Sequence, residues 1–107
     1  MIYDDRPPIP CGQWIGGQDP GTFNYTIDVG TTPGVVTMPY LGFGLMLQPW
    51  PGLLEVFIDN VLVATTVEKS GYFGSLTFYY TAGIVTVRVY REPNNDASWN
   101  FNFRCPV

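Results

Sequence analysis

Residues 84–104 read IVTVRVYREPNNDASWNFNFR. Before the polar stretch REPNNDA (91–97), Val85, Val87 and Val89 alternate with Thr86, Arg88 and Tyr90. After it, Trp99, Phe101 and Phe103 alternate with Asn100, Asn102 and Arg104. A period of two is the mark of a strand with one buried face, and β-branched and aromatic residues suit it. The stretch therefore predicts two strands, 84–90 and 98–104, with the valines and the aromatic trio inward and Asn100, Asn102 and Arg104 outward.

The same pattern extends upstream. Phe23, Tyr25, Ile27 and Val29 alternate with Asn24, Thr26 and Asp28, which predicts a strand over 23–29 followed by a turn at 30–34. Further strands are predicted at 35–40, 53–59, 61–66 and 75–80. Asp59-Asn60 separates two of them, and both residue types accept positive φ in a two-residue hairpin turn. With 12 Gly and 10 Pro in 107 residues, the chain is punctuated too often for helices. The expected fold is all-β: an antiparallel β-sandwich or jelly roll of about seven to eight strands. Residues 1–10, MIYDDRPPIP, read as a stiff extended arm kept out of a central ladder by its prolines. Residues 11–107 form a single sandwich domain. Residues 41–52, LGFGLMLQPWPG, read as a long apolar loop.

Composition narrows the function. Charged residues are 13% of the chain against an average of about 25%, and the net charge is −4. Five Lys and Arg without a run cannot neutralise a phosphate backbone, so nucleic acid is not an expected partner. No apolar run is long enough for a membrane helix, and the acidic N-terminus lacks the pattern of a signal peptide. Export is expected by lysis, inside a particle, or after loss of a leader. There is no histidine, hence no Ser-His pair, and Lys69 beside Glu68 reads as a surface charge. The nine acids show no pairing across a cleft of the kind glycoside hydrolysis needs. No cofactor and no enzymatic activity are expected. A calcium ion is a minor alternative, with oxygen ligands available from Asp19, Asp28, Asp59, Asn60, Asn94, Asn95 and Asp96. For each of these the competing role is a local turn contact. Two cysteines, Cys11 and Cys105, stand at the two ends of the domain. Either they are free core thiols, or they bridge the first and last strands.

Several motifs occur in order: Cys11-Gly12, G-x-F-x-Y-x-I-D-x-G from Gly21, G-V-V-T-M-P-Y from Gly34, E-V-F-I-D-N-V-L-V-A-T-T from Glu55, G-S-L-T-F-Y-Y from Gly74, V-T-V-R-V from Val85 and S-W-x-F-x-F-x-C-P from Ser98. Over residues 11–107 this set resembles a small β-sandwich module of bacterial secreted proteins and of phage tail and other virion proteins, akin to carbohydrate-binding jelly rolls. The resemblance implies a binding or structural module and supports the Cys11–Cys105 bridge. The approach to the strand at 53, Trp50-Pro51-Gly52-Leu53-Leu54, departs from the module's Pro-Asp-Arg-Phe-like pattern. The apolar stretch before it is longer, which suits a protein–protein contact.

Two functions follow as expectations. The first is a structural or attachment component of a virus particle, such as a phage capsid decoration or tail-associated protein. It would be located in the virion or outside the cell, with other virion proteins as partners and a homo-oligomer expected. Ile2, Tyr3, Pro7, Pro8 and Ile9 of the arm and Phe43, Met46 and Trp50 of the apolar loop are its expected partner-binding residues. The alternative is a secreted or surface carbohydrate-binding module whose rings stack on a host surface glycan. Its candidates are Trp14, Trp50, Tyr72 and Tyr79, the last facing away from Leu76, Phe78 and Tyr80.

Overall fold

In a computed structural model the described residues are 8–17, 21–41, 52–66, 73–91 and 99–107, with the short strand 4–5; at 4–5, 52, 73 and 91 only the backbone is described. Every regular element among them is a strand. In chain order these are β1 Asp4–Asp5, β2 Ile9–Pro10, β3 Trp14–Gly17, β4 Gly21–Asp28, β5 Gly34–Leu41, β6 Gly52–Ile58, β7 Val61–Thr65, β8 Phe73–Tyr80, β9 Val85–Arg91 and β10 Trp99–Asn102. They form two sheets. One runs β1-β4-β9-β6-β7, with β2 also on β4; the other runs β3-β10-β5-β8. The fold is a β-sandwich.

All seven predicted strands are present, within a residue or two at most ends, as β4 to β10. Three short ones are additional. β1 and β2 pair parallel with β4, through Asp4↔Phe23 and Ile9↔Ile27, so the proline-rich segment borders the sheet where Pro10 needs no ladder donor. β3, Trp-Ile-Gly-Gly, has no apolar alternation to announce it. Its Gly16 lies so close to β10 that a Cβ would sit 2.7 Å from the Trp99 carbonyl oxygen. Only glycine permits that approach.

Alternation builds the core. Phe23, Tyr25 and Ile27 on β4, Val85, Val87 and Val89 on β9, and Leu54 and Val56 on β6 face inward from one sheet. Val36, Met38 and Tyr40 on β5, Leu76 and Tyr80 on β8, and Trp99, Phe101 and Phe103 face them from the other. Tyr25 joins the layers, with its ring edge-on to Phe101 at 5.6 Å and to Trp99 at 6.3 Å. Asn102 points outward as its phase predicts, yet it is only 7% exposed. It lies on the outer face, directly opposite Trp14, and its Oδ1 accepts no hydrogen bond among the described residues. Cross-strand crowding on that face, not alternation, decides its burial.

Cys11 and Cys105 are disulfide-bonded, with Cα atoms 5.0 Å apart across 94 residues of sequence. The neighbouring backbone is tied as well: Cys11 N–H donates to the Asp28 carbonyl and Gly12 N–H to the Phe103 carbonyl. The C-terminus continues beside β5, where Val35 and Val107 exchange two backbone hydrogen bonds of 2.9 and 3.1 Å.

Candidate functional site

At one end of the sandwich lie the turns 29–33, 59–60 and 81–84 together with the disulfide and Val107. These turns are built locally. Asp59 and Asn60 take φ of 49° and 67°, the left-handed pair that a tight hairpin requires. Asp59 Oδ1 then accepts the Ile84 N–H at 2.8 Å, and Asp59 N–H donates to the Ile84 carbonyl at 2.9 Å, which locks two turns together. Asp28 Oδ1 accepts the Gly30 N–H at 3.2 Å. These two carboxylates, read as calcium candidates, thus each serve a turn. Asp19, Asn94, Asn95 and Asp96 lie outside the described residues, and among those described no three His, Cys, Asp or Glu side chains gather as a metal site would need.

Among the described residues, the large exposed apolar side chains other than Trp14 belong to this end or to strands leaving it: Val35, Val61, Leu62, Val63, Tyr79, Ile84 and Val107. Most border one corner of the sandwich, where the edge strands β7 and β8 of the two sheets adjoin. Strict alternation along a strand at 61–66 would put Val61 and Val63 on one face. Instead the β6–β7 register steps from Val56↔Ala64 to Phe57↔Leu62, so Val63 is an extra, bulged residue. The bulge breaks the alternation and turns Val61, Leu62 and Val63 all toward solvent. Nothing in a single sequence marks an extra residue of this kind.

The outer face of the four-stranded sheet is the second surface. Registers across it place Gly16, Asn100 and Leu41 in one row and Thr37 and Thr77 in another. Val35 and Tyr79 stand opposite each other at the turn end. Trp14 is 55% exposed at one margin and Tyr79 63% exposed at the other. Two of the expected glycan-stacking rings thus share one face. Arg104, exposed beside β5, donates its backbone N–H to the Thr37 carbonyl. By contrast, the outer face of the other sheet is closed on itself. Arg88 donates from Nε to Asn24 Oδ1 at 3.2 Å, lies opposite Glu55 and stacks 4.8 Å over the Phe57 ring.

Of the remaining expected partner-binding residues, Pro8 is exposed and Ile9 is half-buried against the core. Ile2, Tyr3, Pro7, Phe43, Met46, Trp50 and Tyr72 lie outside the described residues. Tyr40 is a core residue, and burial pushes its phenol pKa up from the usual tyrosine value.

No protein-family model matches the chain, and no curated protein matches it. Among solved structures, the pre-peptidase C-terminal domain of a collagenase from Bacillus anthracis is similar, at a TM-score of 0.67 and 17% identity. The match covers 94% of this chain and 93% of that one. At that identity the likeness shows the fold alone. It bears out the β-sandwich part of the resemblance read from the motifs, and the disulfide bears out the bridge that the resemblance implied.

Proposed function

We propose that this chain is a non-enzymatic attachment module of an extracellular assembly, a virus particle being the setting first expected of it. The disulfide supports work outside a reducing cytoplasm. The observation that carries the attachment reading is the apolar corner where β7 meets β8. Val61, 64% exposed, adjoins the exposed Leu62 and Val63 of the bulged strand, and Ile84, 66% exposed, is tied to the same hairpin through Asp59. Grouped apolar side chains of this kind mark contact surfaces, whereas isolated ones need no explanation. Ile84→Asp and Val61→Asp put a charge into such a contact without touching the core. Both variants are expected to melt like the parent and to lose association with purified particles or cell-surface fractions, read as copy number by quantitative mass spectrometry. Unchanged copy number in both would overturn the reading.

A second reading is glycan binding on the outer face of the four-stranded sheet. It is favoured by a separate observation, the presence of exposed Trp14 and Tyr79 rings on one face that also carries Thr37, Thr77 and Asn100. Flat rings stack on the apolar C–H face of a sugar while flanking hydroxyls and amides serve its polar edge.

A further inference from the structure

We infer that the outer face of β3-β10-β5-β8 takes an extended acidic polysaccharide, its sugar rings on Trp14 and Tyr79 and its carboxylates toward Arg104; this rests on the glycan reading above. Three observations carry it.

The first is spacing. Trp14 and Tyr79 stand on β3 and β8, the two margins of a four-stranded sheet. Three strand separations are roughly 14 Å, and the step along the strands from the Asn102 row to the Val35 row widens the gap to roughly 20 Å. A single sugar cannot touch both rings, whereas a chain can. The second is the surface between the rings. Thr37 and Thr77 lie across from each other there, between the row of Pro39 and Ser75 and that of Val35, with no acid on this face among the described residues. Such a surface offers hydroxyl groups for a sugar's polar edge and apolar side chains for its C–H face.

The third is charge. The chain carries −4 overall, yet the charged side chain that the described residues place on this face is a cation, Arg104. On the opposite sheet Arg88 is paired with Asn24 and stacked on Phe57, while Asp28 and Asp59 belong to the turns. The three acids whose side chains are described, Asp28, Glu55 and Asp59, thus all lie off the ring-bearing face. An exposed guanidinium matches a carboxylate in two-point geometry, so a uronate-containing chain complements this face better than a neutral one.

The test is affinity electrophoresis of the whole chain through gels containing polygalacturonate, amylose or poly-glutamate. Polygalacturonate is expected to retard the protein most. Trp14→Ala, Tyr79→Ala and Arg104→Gln should each weaken that retardation roughly tenfold, the size of one stacked or charge-assisted contact. Thr26→Ala, on the outer face of the other sheet, should leave it unchanged. All four positions are solvent-facing, and matching thermal melts confirm folding. Equal retardation by amylose, or full binding by Arg104→Gln, overturns the acidic preference and leaves the glycan reading standing. Equal retardation by poly-glutamate reduces the effect to charge and overturns the inference. No retardation by either polysaccharide ends both the inference and the reading beneath it.

Discussion

At the scale of single residues, Gly34 shows how one missing atom fixes a junction. A Cβ there would meet the Val107 backbone, with the carbonyl oxygen at 2.7 Å and the nitrogen at 2.8 Å. These are the groups that exchange hydrogen bonds with Val35, so an added methyl cannot be absorbed by rotating a side chain. Gly34→Ala should destabilise the fold by about 1–3 kcal/mol, as overpacking does, and should release the last residues from β5. Chemical denaturation together with amide exchange at Val107 checks both halves; an unshifted midpoint would show that the tail is not held there. Asn102 makes the complementary point. Its place on the outward phase of a strand was readable from 98–104, but its burial was not. That burial depends on what adjoins the face, and β3 is the neighbour that brings Trp14 opposite it.

At the scale of elements, the Asp59-Asn60 hairpin connects more than β6 to β7. Asp59 also holds Ile84 at the start of β9. Asp59→Ala removes that acceptor and puts alanine at a φ of 49°. A loss of about 1–2 kcal/mol is expected, seen as a lower thermal midpoint with unchanged strand content by circular dichroism. A midpoint equal to the parent's would mean that the backbone pairing alone suffices. The hairpin was legible in advance because its turn chemistry lies within four residues. So were the seven long strands, because alternation is a local signal. What stayed hidden was long-range: β3, whose glycines fit only against β10; the parallel docking of β1 and β2; the bulge at Val63; and the strand order that brings Trp14 and Tyr79 to one face. Each ring could be suspected from its residue type, but their shared surface depends on pairings between residues far apart in sequence.

At the scale of the whole molecule, the disulfide is the long-range tie. Closing a loop of 94 residues removes about 4–5 kcal/mol of chain entropy from the unfolded state, relative to the reduced protein. Reduction, or the double replacement Cys11→Ala with Cys105→Ala, should therefore lower stability by an amount of that order. Equilibrium denaturation with and without reductant measures it. A change below about 1 kcal/mol would mean that the unfolded chain is already held compact by other contacts. The bridge has a mechanical meaning as well. Residues 11 and 105 are joined covalently at one end of the sandwich, with all the long strands in the interval between them. A pull transmitted from the segment before Cys11 to the residue after Cys105 loads the short β1 and β2 pairings and the Val107 hydrogen bonds, then passes through the sulfur–sulfur bond and spares the long strands between. Once those outer pairings have yielded, the oxidised domain can thus pass tension along a tether without further extension, and the faces of its two sheets keep their shape under drag.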